Sequence, residues 1–196
     1  PLRARAQGVA PPQDAIVSTR YGRIRGTRVA DVCAFKGVPY GASTAGSSRF
    51  RPPAPPSPWT GIRDTTRYGP RATQPVRRMI PELGDALTGS GPMSEDCLRV
   101  NVWSGGLAST DKRPVMVFLH GGGYQTGSGN SALYDGSALA RKHGVVVVTV
   151  THRLNALGFL YLEQLGGAEW RDATNLGLLD IVSSLEWVRD NIAAFG

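Results

Sequence analysis

The chain has 196 residues, 41% of them hydrophobic, enough to bury a substantial core as one domain or as part of a larger one. Its net charge of +7 comes from 22 basic and 15 acidic residues. The arginines crowd the first half but are scattered among glycine and proline, without zinc-finger spacing or an RNA-recognition aromatic signature, so nucleic acid is set aside as a partner.

No run approaches the ~20 apolar residues that span a bilayer, so no membrane span is expected. Cys33 and Cys97 make neither a disulfide framework nor a metal-ligand pattern, which leaves cytoplasmic and exported locations equally open. Residues 1–14 are basic, rich in alanine and proline and aperiodic, as expected of a disordered arm, and residues 15–196 read as one unit. Between residues 15 and 38, glycines break up short β-prone pieces, predicting a hairpin through Tyr21 and Gly22 and a third strand at residues 32–35. Pro39, Pro52, Pro53, Pro55, Pro56 and Pro58 then forbid sheet ladders and helix interiors, so residues 37–59 read as a long ordered loop packed by Tyr40, Phe50 and Trp59. Residues 60–93 are similarly irregular, with a helical turn suggested at 79–87.

Order returns where Leu98, Val100 and Val102 alternate with Arg99, Asn101 and Trp103, the pattern of a strand with one buried face. Residues 115–119, Val-Met-Val-Phe-Leu, form a continuous apolar run, the pattern of a parallel strand buried on both faces. A short helix over 137–143, capped by Ser137 and ended by Gly144, leads to a second fully buried strand at 145–150, which completes a βαβ unit. Leu178, Ile181, Val182, Leu185, Val188 and Ile192 fall at three- and four-residue steps, predicting an amphipathic helix from Asn175, with Thr174 or Asn175 as its cap.

The chemistry concentrates immediately after the first of the two buried strands, at His120-Gly121-Gly122-Gly123-Tyr124. Three consecutive glycines permit positive φ and can turn several N–H groups toward one point. At a strand's C-terminal end, such a nest can bind an anion or the oxygen of a carbonyl that becomes one.

Ser94-Glu95-Asp96-Cys97-Leu98 with Val100-Asn101-Val102-Trp103 resembles the signature of type-B carboxylesterases, the cholinesterase-like branch of the α/β-hydrolases. Further blocks resemble that family in its order: Phe35 to Tyr40, the His120 nest, Tyr134-Asp135-Gly136, His152-Arg153-Leu154-Asn155 with Gly158-Phe159-Leu160, Asn175 to Asp180, and Trp187 to Ala193. The resemblance implies an α/β fold: the N-terminal part of an α/β-hydrolase, with a mostly parallel central sheet flanked by helices, a small antiparallel N-terminal hairpin and long proline-rich loops. It also implies hydrolysis of a small-molecule carboxylic ester through an acyl-enzyme, by a Ser-His-acid triad without metal or cofactor. Gly122 and Gly123 would be oxyanion-hole N–H donors, with Gly121 and Tyr124 in the loop beside the acyl site. Arg153 would pair with Asp180, and Arg49 with Glu95, as structural ion pairs.

The sequence departs from the family pattern in what it lacks. No serine lies in Gly-x-Ser-x-Gly; Gly41-Ala42-Ser43-Thr44-Ala45 comes nearest, without a strand before it. None of His120, His143 and His152 suits the triad base, so nucleophile, acid and base are expected in the remainder of the same polypeptide, and residues 1–196 alone are expected to be inactive. Cholinesterases pair the cysteine at Cys97 with one upstream, but residues 68–75 contain none, so Cys97 is expected as a reduced, buried thiol unless Cys33 reaches it. Residues 76–93 contain no aromatic that could hold a quaternary ammonium by cation–π attraction, which points away from choline esters toward short-chain or aryl esters. The alternative is a non-catalytic cholinesterase-like binding or adhesion module.

Overall fold

The computed structural model describes residues 11–75, 86, 88, 89 and 91–196. Most of the suggested helical turn at 79–87, and most of the suggested N-terminal arm, lie outside the described residues. The first strand begins at Gln13, so the last two residues assigned to the arm belong to the sheet.

The strands are β1 (Gln13–Thr19), β2 (Gly22–Val29), β3 (Val32–Pro39), β4 (Ile62–Asp64), β5 (Arg99–Ser104), β6 (Val115–Leu119) and β7 (Val146–Thr151). They form one mixed sheet in the order β1-β2-β3-β5-β7-β6, with the short β4 joining β2 off that path. The expected hairpin and third strand are β1 to β3, an antiparallel meander longer than the sequence pattern indicated. β5 continues it antiparallel to β3 and β7, and the parallel pairing on the main path is β6 with β7. Parallel pairing is therefore limited to the βαβ unit and the short β2–β4 pair. β4, exposed and only three residues long, lies in the irregular stretch that follows the proline-rich loop and had no periodicity to reveal it.

The core lies around the sheet's centre, where Ile24, Phe35, Val38, Leu98, Val100, Val102, Val146, Val148, Val150 and Leu154 are fully buried. Phe195 closes it by meeting Phe35 edge to face, with ring centroids 5.1 Å apart. β5 differs from its expected single buried face: Asn101 and Trp103, on the opposite side, are also fully buried. Trp103 packs with Ala140 and Val147 beneath helix α1 (Ser137–His143). Asn101 tolerates burial because its amide donates to Gly129 O at 3.0 Å and Thr149 Oγ1 at 2.9 Å, and its carbonyl oxygen accepts from Gly37 N. α1 is preceded by Gly136 rather than capped by Ser137; Asp135 Oδ1 accepts the Ser137 N–H instead, and Gly144 ends the helix at φ +63° as expected.

Two expectations about apolar faces are overturned. β6 is not buried on both faces: Met116 and Leu119 are 44% and 43% exposed. β6 is the last strand of the sheet, and among the described residues its outer edge has no partner strand. Two short helices, α2 (Asn155–Phe159) and α3 (Glu163–Gly166), precede the long helix α4 (Leu176–Asn191). α4 turns a different stripe inward from the one its hydrophobicity suggested. Asp180, Ser184, Trp187 and Asn191, at helical spacing, are buried, while Leu178, Val182 and Leu185 are exposed. Neither Thr174 nor Asn175 caps α4 with its side chain; Thr174 Oγ1 donates to Glu163, and the Asn175 carbonyl accepts from Leu178 N and Leu179 N.

The polar stripe goes inward because Asp180 has a fixed partner. Arg153, two residues past the end of β7, donates to Asp180 from Nε at 2.9 Å, Nη2 at 2.6 Å and its backbone N at 3.0 Å. Both side chains are out of solvent, at 3% and 0% exposure. Burial pushes the Asp180 carboxyl up, and the Arg153 guanidinium and N–H groups pull it back down. Removing one partner leaves an uncompensated buried charge, at a cost of ~3–5 kcal/mol. Asp180→Ala in the intact protein should therefore lower the thermal melt markedly; an unchanged melt would show that the pair contributes nothing.

Candidate oxyanion-binding site

The site grows from the C-terminal ends of two neighbouring parallel strands. β6 and β7 pair in a register that sets Leu119 opposite Val150, so His120 and the glycines leave the sheet beside Thr151 and His152. Ligands in α/β sheets sit at such strand ends.

Gly122 and Gly123 have φ of +121° and +59°, values that need glycine. A side chain at Gly122 would strike the Thr126 carbonyl, whereas Gly121 and Gly123 have nothing within 4 Å of where a Cβ would stand. The Gly122 carbonyl accepts from Gln125 N at 3.1 Å and Thr126 N at 3.2 Å, folding the loop back on itself. Among the described residues, the N–H groups of Gly122 and Gly123 have no partner.

Polar clamps hold the loop from behind. Asn155 N donates to Tyr124 O and Asn155 Nδ2 to Gln125 O, both at 2.9 Å. Gln74 holds Gly127 from both sides, accepting from its N–H at 2.8 Å and donating to its carbonyl at 2.9 Å. Gly127, at φ +108°, packs so closely that any Cβ would strike the Gly121 carbonyl and His120 Nδ1.

A cavity of about 310 Å³ opens in front of the glycines, lined by Leu119, His120, Gly121, Gly123, Tyr124, His152 and Ile181. A second of about 350 Å³ lies past Tyr124, lined by Gly123, Tyr124, Gln125, Asn155, Ala156, Phe159 and Leu160. Tyr124 stands between them at φ +59°, 4.8 Å from Phe159 between ring centroids.

His120 and His152 stack at 4.7 Å between centroids, with planes only 7° apart. His120 Nδ1 lies 2.9 Å from Gly121 O, and His152 Nδ1 lies 2.9 Å from Arg153 O. A carbonyl can only accept, so each Nδ1 carries a proton and donates. His120 Nε2 is buried with no hydrogen-bond partner among the described residues. Burial lowers the His120 imidazole to about 4, helped by its neighbour His152, and burial lowers His152 as well.

The remaining residues singled out from the sequence lie elsewhere. Arg49 and Glu95 meet side-on at 2.6 Å and 2.5 Å, but Arg49 is half exposed, so water screens most of that pair's contribution. Cys33 and Cys97 are buried free thiols, Cys97 pushed up to about 12 by burial. Ser43 sits in the proline-rich loop, accepting from Ala45 N. His152, Asn155 and Gln74 were not singled out as site residues from sequence. The parallel register of the βαβ unit could have indicated His152 and Asn155, whereas Gln74 stands in an irregular loop with no pattern to flag it.

The model of the carboxylesterase family matches residues 13–196. The chain belongs to the carboxylesterase family. It is 43% identical over 181 residues to the para-nitrobenzyl esterase of Bacillus subtilis (strain 168), covering 92% of this chain and 35% of that one. With mouse (Mus musculus) carboxylesterase 3B it shares 42% identity over 190 residues, covering 92% of this chain and 32% of the relative. The crystal structure of a Geobacillus stearothermophilus carboxylesterase superposes with a TM-score of 0.83 at 44% identity, over 92% of this chain and 35% of that one. The chain thus spans about a third of the length of these relatives, and its sheet and helices are part of an α/β-hydrolase fold.

The stacked imidazoles have a consequence for stability. Both are held neutral in the fold, so their contribution is complete above 6.5, the ordinary imidazole value, and is lost as pH falls from there, for His120 through about 4. The melting temperature of the intact protein should fall across that window. The fall should be shallower in His120→Asn, since carboxylates titrate alike in both proteins; equal slopes would show that the imidazoles are not held neutral.

Proposed function

We propose that residues 1–196 supply the oxyanion-binding half of a serine carboxylesterase, with Gly122 and Gly123 donating their N–H groups to the developing oxyanion. The observation that carries this reading is two adjacent N–H groups with no partner among the described residues, on exposed positive-φ glycines just past the end of β6. The stand-in for such a ligand is the ester carbonyl, whose oxygen takes on negative charge when a nucleophile adds to its carbon. Fixed donors at that point lower the barrier because they need no reorganisation, and losing one typically costs roughly 3 kcal/mol of transition-state stabilisation.

The chemistry then follows acyl transfer. A serine hydroxyl adds to the carbonyl carbon while a histidine takes its proton, and the carbonyl electron pair moves onto the oxygen. Collapse expels the alcohol, which takes the proton back, and water cleaves the acyl-enzyme by the same steps. No serine of residues 1–196 lies in a nucleophile elbow, so the reading assigns the triad to further residues of the same polypeptide. The edge of β6, which has no partner strand among the described residues, and the exposed Met116, Phe118 and Leu119 give that polypeptide a surface to continue the sheet. The apolar walls of the two cavities, from Leu119 and Ile181 to Phe159 and Leu160, suit short-chain or aryl esters.

The intact protein should hydrolyse p-nitrophenyl acetate and take a fluorophosphonate label at one serine outside residues 1–196. A label inside those residues would overturn the assignment of the nucleophile. A folded intact protein that neither labels nor turns over ester would favour a non-catalytic binding module.

A further inference from the structure

The nest is held through an uninterrupted chain of contacts that ends at a donor N–H. In a trans peptide the C=O and the next N–H lie in one plane and point opposite ways. Whatever holds the Gly121 carbonyl therefore also aims the Gly122 N–H. His120 holds it, through Nδ1–H at 2.9 Å.

That hydrogen bond orients the donor only if the imidazole itself cannot turn. Its far nitrogen gives no help, because Nε2 is buried without a hydrogen-bond partner among the described residues. The backbone of Gly127 blocks one side at Nδ1. The face is blocked by His152, parallel to within 7° at 4.7 Å. His152 is a firm support: it is 2% exposed and bonded to the Arg153 carbonyl, and Arg153 is locked to Asp180 by three hydrogen bonds.

We infer that His152 is a positioning residue for ester hydrolysis: its ring, stacked on His120, keeps the His120 to Gly121 hydrogen bond aligned and so aims the Gly122 N–H at the oxyanion. This rests on the oxyanion reading of the nest. His152 touches no reacting atom and transfers no proton; its effect passes through the ring plane of its neighbour. A flat ring should therefore serve in its place, whereas a side chain that keeps only the hydrogen bond to Arg153 should not.

The test compares His152→Phe, which keeps a flat ring, with His152→Asn, which keeps an N–H able to reach the Arg153 carbonyl. Both are made in the intact protein and assayed with p-nitrophenyl acetate, with kcat expressed per site titrated by fluorophosphonate so that misfolded molecules are not counted. His152→Asn should lose about ten- to a hundredfold in kcat with little change in KM, less than the roughly 10²–10³ that follows outright removal of a donor. Its affinity for a trifluoromethyl ketone, which forms a tetrahedral oxyanion, should weaken by the same factor. His152→Phe should keep most of both. If both variants match wild type, or both lose kcat equally in step with a lowered melt, the inference is overturned while the oxyanion reading stands. A wild type without ester turnover would remove both together.

Discussion

The buried pair between Arg153 and Asp180 is the constraint on which the rest of the site depends. It joins the second residue past β7 to the second turn of the long helix, with both charges out of solvent. Such pairs add little stability compared with a well-packed apolar substitute, but they admit one geometry and strongly penalise others. Here that geometry sets which stripe of α4 faces the sheet. The arginine also reaches outward, donating from Nη1 to the Arg51 carbonyl at 2.8 Å, so the proline-rich loop is fastened at the same point. Its own carbonyl holds His152. One side chain thus fixes a strand end, a helix, a loop and the support for the nest.

The glycine loop has almost no apolar anchoring, so its shape rests on hydrogen bonds to its backbone. Asn155, Gln74 and the internal turn at Gly122 satisfy the carbonyls on its rear side. What is left without a partner among the described residues is the pair of N–H groups on the exposed Gly122 and Gly123. An unpaired buried N–H would be costly, whereas one facing a wet cavity loses nothing until a better acceptor arrives. Rigid behind and unpaired in front is the arrangement a preorganised oxyanion site requires.

Much of this was legible in the sequence, and the failures share a cause. The βαβ unit, the meander and the nest announced themselves through uninterrupted apolar runs and glycine triplets. The misread positions are those where polarity and burial part company. Asn101 looked like the wet side of β5, yet it is buried because three groups satisfy its amide. Helical periodicity turned the leucines of α4 inward and left Asp180 and Ser184 outside, whereas the family resemblance already implied the buried Arg153–Asp180 pair that reverses that stripe. Periodicity finds the face that avoids water, and it cannot see a partner twenty-seven residues away. The role of His152 was hidden for a related reason, since stacking on His120 depends on the register between β6 and β7 rather than on local spacing.

The exposed apolar surfaces bear on the chemistry as well as on the fold. Leu119 ends β6 and Ile181 lies on α4, and both line the cavity before the glycines. The exposed leucines of α4 and the edge of β6 that has no partner strand among the described residues therefore belong to the same two elements that border the cavity beside Gly121 and Gly123. A long, exposed, apolar strand edge invites pairing, and contiguous exposed apolar patches mark surfaces meant to be covered. In the proposed enzyme, covering them would also remove water from around the nest. The attraction between a fixed N–H dipole and a developing oxyanion scales inversely with the effective dielectric, so the same two donors gain strength once the surface beside them is dry. On this argument, completing the sheet does more than supply a serine. It converts a correctly shaped but solvated pair of N–H groups into an electrostatic site strong enough to stabilise a transition state.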